Sequence, residues 1–446
     1  MARVLVVATP MLGHLGPLLT IGRRLAADHE VAVLTGTTMR PLVAQAGLRF
    51  LPLPPAAVGS VRDRPVRRGQ PRWVAARQEI IDRFIGPLGV QAEALHAELT
   101  VGGPDLVLAD TAYLGALPLL LGTPRHARPP VVGLSVTPLS QVSSDASPFG
   151  TGLRHRGDPL ARQRNRQVNW LLHRGPLRPV QVALREALAP WRLPAGGLNY
   201  FDAASRFDAT FQLGLPELEY PRRRLPDTVR CLGPVPAFTP ERGLPDWWSR
   251  FTTLAGQHPV VHVTQGTVDN DDLDRLVLPT LRVLARREVV TVVSTGAVDG
   301  RSPVAAAAQL ARRLGGTLPP RVFVTDFVPY DRLLPLTRLM ITNGGWGGVQ
   351  QAARHGVPLI VAGSTEEKPE VAARVAWSGL GVDLRTGTPS AARLARAVGR
   401  VLDGDRTLRV ATALRDAAAA RPDPVEAVLA GLGDVLGSPQ LAPELS

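Results

Sequence analysis

The chain writes one pattern twice: short, almost wholly apolar runs alternate with longer amphipathic stretches, and a proline-dense span divides the two copies. In the first copy the runs are Val4–Ala8, Glu30–Leu34, Arg49–Leu53, Leu106–Ala109 and Val131–Val136. In the second they are Val260–Val263, Val289–Ser294, Val322–Val324, Leu339–Thr342 and Leu359–Ala362. Runs this short and this continuously apolar read as parallel strands covered on both faces. The stretches between them, such as Pro17–Ala27 and Gln91–Leu99, have helical periodicity, and the alternation predicts a doubly wound α/β sheet. Between the copies stand Pro216, Pro221, Pro226, Pro234, Pro236, Pro240 and Pro245. Proline at that density favours an extended, fairly stiff connection.

The expected architecture is therefore two Rossmann-like domains of the α/β class facing a central cleft, with ligands at the carboxyl edges of both sheets. The length of 446 residues agrees, because it exceeds what one core usually supports. The expected boundaries are 1–220 for the first domain, 221–245 for the linker and 246–405 for the second domain. Residues 406–446 are read as C-terminal helices that pack back across the junction and end in a flexible tail.

Composition narrows the class further. A hydrophobic share of 45% with 20% charge is that of an ordinary globular protein. The single cysteine, Cys231, rules out an intrachain disulfide framework and a cysteine metal site, and makes a reducing cytoplasm the expected setting. No apolar run approaches the roughly 18 residues of a membrane span. Arg3-Val4-Leu5-Val6-Val7 lacks a small-x-small cleavage site and reads as a first strand rather than a signal peptide. The net charge of +13 raises nucleic acid or a membrane surface as partners. The basic residues are almost all arginines, with Lys368 the only lysine, and aromatic interleaving is poor. A solvated arginine-rich surface is the main reading: no nucleic acid is expected, and contact with anionic lipid is the lesser reading.

Three segments carry chemistry. The first is Thr342-Asn343-Gly344-Gly345-Trp346-Gly347-Gly348-Val349-Gln350-Gln351, a strand end that turns through glycines into a helix. Backbone N–H groups at such a helix N-terminus, together with the helix dipole, attract a phosphate. The spacing is neither Rossmann G-x-G-x-x-G nor a Walker loop. The second is Gly13-His14-Leu15-Gly16-Pro17, directly after the first strand, where Pro17 suits the first helical position. His14 reads equally as a general base facing the cleft and as a turn histidine capping the helix. The third is Asp110, at the end of the Leu106–Ala109 strand, which could orient an imidazole or cap a helix starting near Thr111. In the second half, Gly266 and Thr267 end a strand and could approach a phosphate, and Phe327 with the Val328 backbone suits a flat base. Glu366, Glu367 and Lys368 open a helix, where acidic residues simply favour the dipole. No His/Asp/Glu cluster has metal-ligand spacing, and no Gly-x-Ser-x-Gly elbow occurs.

Taken together, these segments resemble the family of UDP-sugar-type glycosyltransferases with the GT-B fold, most closely its actinobacterial branch that decorates antibiotics. The likeness spans nearly the whole chain. Gly13-His14-x-Gly-Pro17 is similar to the family's N-terminal Gly-His-x-x-Pro, whose His is the catalytic base, and Asp110 falls where its carboxylate partner sits. Glu219-Tyr220-Pro221 with Leu232-Gly233-Pro234 resembles the approach to the interdomain linker. Phe327-Val328-Pro329 with Leu333-Leu334-Pro335 corresponds to the nucleobase segment. Asn343-Gly344-Gly345-Trp346-Gly347-Gly348, then Gly356-Val357-Pro358-Leu359, corresponds to the donor signature, and Glu367-Lys368 occupies the family's sugar-contacting Asp-Gln.

The resemblance implies an inverting hexosyltransferase that needs neither metal nor cofactor, the nucleotide-sugar being a co-substrate. His14 and Asp110 would be catalytic. Gly266, Thr267, Phe327, Val328, Asn343, Gly344, Gly345, Trp346, Gly347, Gly348, Gln351, Glu367 and Lys368 would bind the donor. A small hydrophobic acceptor would enter the first domain near the loops at 55–75 and 143–166. The departures are Asn343 where the commonest pattern has His, Gln351 where it has Glu, and Glu367-Lys368 for Asp-Gln. Gln351 softens the ribose contact, because charge-assisted hydrogen bonds are roughly twice as strong as neutral ones. A dTDP-sugar donor therefore stands level with a UDP-sugar. The same departures motivate one alternative, a non-catalytic GT-B partner of an active transferase; the net charge motivates another, a membrane-associated transferase acting on a lipid acceptor.

Overall fold

The computed structural model describes residues 1–59, 72–193, 198–239, 243–267, 270, 272–296 and 302–437. Most of the arginine cluster from Arg62 to Arg72 and the C-terminal tail lie outside the described residues. The first alternation forms β1 (Arg3–Val7), β2 (Glu30–Thr35), β3 (Arg49–Pro52), β4 (Leu106–Asp110), β5 (Val131–Ser135), β6 (Ala209–Gln212) and β7 (Val229–Cys231). All pairings are parallel, in the order β3-β2-β1-β4-β5-β6-β7. The second alternation forms β8 (Val260–Thr264), β9 (Val290–Ser294), β10 (Val322–Thr325), β11 (Thr337–Thr342), β12 (Leu359–Val361) and β13 (Gly381–Asp383). Its order is β10-β9-β8-β11-β12-β13, again parallel throughout.

In each sheet the strand order reverses once, between β1 and β4 and between β8 and β11. A reversal splays the following loops to opposite faces and opens a crevice at the carboxyl ends of those strands. The segments singled out from sequence follow these four strands: His14 after β1, Asp110 at the end of β4, Gly266 after β8 and Asn343 after β11.

β7 falls inside the span read from its prolines as linker, so the first sheet extends past residue 220. Three residues, Val-Arg-Cys, are too short to show a period. The following segment packs onto the helix Leu12–Leu25: Phe238 N donates to Gly16 O at 2.9 Å and Thr20 Oγ1 to Pro236 O at 2.8 Å. A Cβ on Gly16 would meet Ala237 Cβ at 2.9 Å, so this glycine serves a close approach of the two segments. The chain also returns to the first domain at its end. In the helix Pro424–Gly437, Val428, Leu432 and Val435 are buried in one core with Val4, Leu15 and Phe211. Gly431 lets the helix lie on the Phe211 ring, which a Cβ there would meet at 2.7 Å.

The domains are tied by a buried charge cluster. Arg374, on the helix Lys368–Ser378 of the second domain, donates to Glu219 Oε2 of the first at 3.0 Å through Nη2 and 3.2 Å through Nε. It also bonds Glu370, and its guanidinium lies 4.2 Å from the centre of the Tyr220 ring.

Candidate functional site

The helix Leu12–Leu25 begins five residues before Pro17, so His14 occupies its first turn rather than a loop before it. Met11 supplies no side-chain cap, and Pro17 lies inside the helix, which is why the sequence pointed to a later start. His14 N and Leu15 N both donate to Met11 O, at 3.0 and 2.9 Å. The helix thereby turns the imidazole towards β4, where its Nδ1 lies 3.0 Å from Asp110 Oδ2.

Asp110 is fully buried and also accepts the backbone N–H groups of Thr9, at 3.3 Å, and Ala112, at 3.1 Å. It therefore anchors the turn and holds the imidazole at once; the next helical turn starts only at Leu114, so it caps no helix at Thr111. Burial alone would raise Asp110, but the His14 charge and hydrogen bond, with the Thr9 and Ala112 donors, hold the carboxyl below its ordinary value. Burial alone would lower His14, and the Asp110 carboxylate outweighs it, so the imidazole sits above its ordinary value. With Nδ1 given to Asp110, Nε2 makes no hydrogen bond among the described residues, and His14 lines a cleft of about 2010 Å³ between the domains.

The opposite wall is the turn after β11. Gly344 has φ +95°, a conformation open to glycine, and its N–H donates to Thr342 Oγ1 at 3.1 Å. The helix Trp346–Arg354 follows its cap residue Gly345 with no side-chain cap, so the first-turn N–H groups of Trp346, Gly347 and Gly348 border the cleft in an arrangement that can meet an anion. Gly363 packs beneath this turn, where a Cβ would stand 1.9 Å from Asn343 O. Gly266 (φ +72°), Thr267, Phe327 and Val328 line the same cleft, as do Gln351, Glu367 and Lys368.

Three donor-side residues also make contacts the sequence did not predict. Asn343 lies beside the cradle, but its Nδ2 donates to Gln265 O, tying the ends of β8 and β11 together across the reversal of strand order. The Trp346 side chain is buried in a core with Leu215 and Leu218 of the first domain, covering Gly214, so its ring is turned into the junction. Neighbouring Gln350 Oε1 accepts Leu215 N at 2.8 Å, holding the same junction. Lys368 is buried with its ammonium on Thr365 Oγ1, at 3.2 Å, and on Glu366.

The sequence pointed to the loop 143–166 on the acceptor side but not to the helical residues of that wall. Phe84, Phe149, Tyr200 and Phe201 line the cleft, and the His14 ring centre is 6.3 Å from that of Phe84. Glu79 and Arg83 also line it, joined at 2.9 Å, and Arg83 reaches Glu366 of the second domain at 3.4 Å. Phe149 stands in the 143–166 loop expected to meet the acceptor, whereas the others sit in helices with no motif, and only their neighbours in space mark them. Among the described residues, no group of three or more His, Cys, Asp or Glu forms a metal site, and no helix is long and apolar enough to cross a membrane.

This geometry has counterparts among known proteins. Residues 290–432 match the family described as erythromycin biosynthesis protein CIII-like, C-terminal domain. The chain is 36% identical to 4'-demethylrebeccamycin synthase of Lentzea aerocolonigenes, covering 96% of this chain and 98% of that protein. It is 32% identical to UDP-glycosyltransferase 2 of Phaeomoniella chlamydospora, covering 90% and 88%. The crystal structure of the kitacinnamycin glycotransferase superposes with a TM-score of 0.68 at 21% identity, covering 97% of this chain and 98% of that one, which shows a shared fold. The chain belongs to the UDP-glycosyltransferase-like GT-B family, in its actinobacterial natural-product branch, and is a glycosyltransferase.

Proposed function

We propose that the protein is an inverting, metal-independent glycosyltransferase that moves a hexose or deoxyhexose from a UDP- or dTDP-sugar to a hydroxyl of a small hydrophobic natural product. The observation that carries this reading is the facing of two groups across one cleft: His14, backed by Asp110, on the first domain, and the uncapped N-terminus of the helix Trp346–Arg354 on the second.

In this reading the acceptor hydroxyl lies against Phe84 and Tyr200 with its proton towards His14 Nε2. The hydroxyl oxygen forms a bond to the anomeric carbon as the bond from that carbon to the diphosphate oxygen breaks. The proton passes to Nε2, and Asp110 stabilises the imidazolium. The diphosphate takes the bonding pair and leaves against the N–H groups of Trp346, Gly347 and Gly348, with Thr267 beside them. Donors fixed where charge develops are worth roughly 3–4 kcal/mol each in comparable oxyanion sites. Attack comes from the wall opposite the nucleotide, which inverts the anomeric centre in one displacement. Asn343 supports the cradle by holding Gln265, and Phe327 with Val328 faces the base.

The aromatic acceptor wall and the relative named for rebeccamycin synthesis both favour a natural-product acceptor. The nucleotide-sugar requirement and the free Cys231 favour the cytoplasm. The non-catalytic alternative fits poorly with an intact His14–Asp110 pair, which a binding partner would have no need to preserve. The test is incubation of the purified protein with UDP- and dTDP-sugars and a panel of aromatic and macrolide acceptors, read by mass spectrometry. A hexose or deoxyhexose mass gain with release of nucleoside diphosphate is expected. Absence of both transfer and donor hydrolysis across the panel rejects the reading.

A further inference from the structure

A line of charge crosses the cleft beside the catalytic pair, and the reaction as described makes no use of it. It starts at Glu79 on the helix Arg72–Glu79 and passes to Arg83, on the π-helical turn Ile80–Ile85. π-helical turns are uncommon and often mark functional sites. Arg83 is 9% exposed, and its Nη1 lies 2.9 Å from Glu79 Oε1 and 3.4 Å from Glu366 Oε1. Glu366 belongs to the other domain and also holds the Lys368 ammonium. One guanidinium thus joins the acceptor domain to the loop that carries Glu367 and Lys368.

Arg83 is not a satisfied core arginine. Its Nε is buried without an acceptor among the described residues, and its Nη2 makes no hydrogen bond there either. Both of its contacts run through Nη1, so the two carboxylates, not a full set of partners, fix its place. The pairing is built in from both sides. A Cβ on Gly59 would meet Arg83 O at 2.2 Å, so backbone packs directly against this turn. Glu366 has φ +52°, a left-handed conformation uncommon for a residue with a Cβ, and it aims the carboxylate across the cleft. Arg83 and Glu367 are also the charges beyond Asp110 that act on His14, the first lowering its affinity for a proton and the second raising it. The same few side chains therefore border the base and the loop read as facing the donor sugar.

We propose that Arg83 is the positioning residue for the donor sugar: its ion pair with Glu366 clamps the loop 364–368 to the acceptor domain and sets the distance from the anomeric carbon to His14. The proposal rests on the transferase reading above. It separates two parts of the donor. The nucleoside diphosphate meets residues 266–267, 327–328 and 344–348, none of which Arg83 touches. The sugar meets the clamped loop. Loss of the clamp weakens the sugar's contribution alone and lets water reach the anomeric carbon.

The experiment measures Kd by calorimetry for UDP, dTDP, UDP-glucose and dTDP-glucose, with wild type, Arg83→Gln, Arg83→Lys and Glu366→Gln, each checked for folding by its melting curve. Arg83→Gln should bind nucleoside diphosphate as wild type does. It should lose about ten-fold in affinity for the preferred nucleotide-sugar and raise the ratio of donor hydrolysis to transfer. Arg83→Lys, which keeps the charge, should recover part of both. If Arg83→Gln fails to fold, Glu366→Gln breaks the same pair from the other side and carries the same expectation. Equal losses for diphosphate and nucleotide-sugar make Arg83 merely structural and overturn the proposal, as does an unchanged hydrolysis ratio. A wild-type protein that binds neither nucleotide-sugar overturns the transferase reading and the clamp together, whereas an active wild type with an indistinguishable Arg83→Gln removes only the clamp.

Discussion

His14 Nδ1 stands 3.0 Å from Asp110 Oδ2 at the point where the first sheet reverses its strand order, and the two side chains are 10% and 0% exposed. A carboxylate placed there fixes the imidazole tautomer, so the nitrogen turned to the cleft carries the lone pair. Replacing His14 by Ala should lower turnover by about 10²-fold or more, because the acceptor proton then has no positioned base. Asp110→Asn keeps the shape but neither fixes that tautomer nor stabilises the imidazolium, and should also cost about 10²-fold or more. Initial rates on folded variants check both; near-wild-type turnover in His14→Ala removes it from the mechanism.

The same pair sets a pH dependence. His14 must be neutral to accept a proton, and Asp110 holds its pKa above the ordinary 6.5 despite burial. kcat/KM should therefore climb with pH through a limb above 6.5, and Asp110→Asn should move that limb to lower pH. A limb that stays in place belongs to another group. Stability follows with opposite senses for the partners. The raised His14 contributes fully below 6.5, and that contribution is lost as pH rises through its folded value. The lowered Asp110 contributes above its ordinary 3.8, and that contribution is lost as pH falls through its folded value.

Arg374 should be the most costly single residue at the junction. It is 1% exposed and paired with Glu219 and Glu370, which themselves accept the N–H groups of Leu139 and Gly150 at 3.0 and 3.1 Å. Removing the guanidinium leaves two buried carboxylates facing each other, a situation that costs roughly 3–5 kcal/mol when one partner of a buried pair is lost. Arg374→Met should lower the melting temperature clearly. Arg374→Lys should recover little, because an ammonium cannot span both carboxylates and lie over the Tyr220 ring. A melting curve for Arg374→Met that overlays wild type would show the cluster to be dispensable.

Much of this was legible because parallel strands buried on both faces leave continuous apolar runs, and ten of the thirteen strands among the described residues carry one. β6, β7 and β13, which read Ala-Thr-Phe-Gln, Val-Arg-Cys and Gly-Val-Asp, are too short or too polar to do so. His14 and Asp110 could be found because strand ends at a reversal are where such folds place ligands, and that depends on order along the chain. Arg83 and Glu79 could not, because a helix face acquires meaning only when the other domain arrives opposite it. Trp346 shows the converse. Its place in a glycine-rich motif suggested donor contact, while Gly214, distant in sequence, made room for its ring in the interdomain core.

Gln351 gives the sharpest question about the donor. It lies on the helix Trp346–Arg354, is 9% exposed and lines the cleft. Its carbonyl is engaged by His355 Nδ1 at 2.8 Å, while its side-chain amide makes no hydrogen bond among the described residues. An amide can meet a ribose hydroxyl but without the gain of a charged acceptor, so the extra hydroxyl of a uridine nucleotide earns little here. Wild-type protein should bind dTDP at least as tightly as UDP. Gln351→Glu should shift the preference towards UDP by about ten-fold, a charge-assisted bond to the 2′-hydroxyl being worth roughly 1.4 kcal/mol more than the neutral one. Calorimetry with both nucleotides on both proteins decides it. UDP binding clearly more tightly than dTDP in wild type rejects the softened ribose contact, and a substitution that weakens both nucleotides alike places Gln351 away from the sugar ring of the nucleotide.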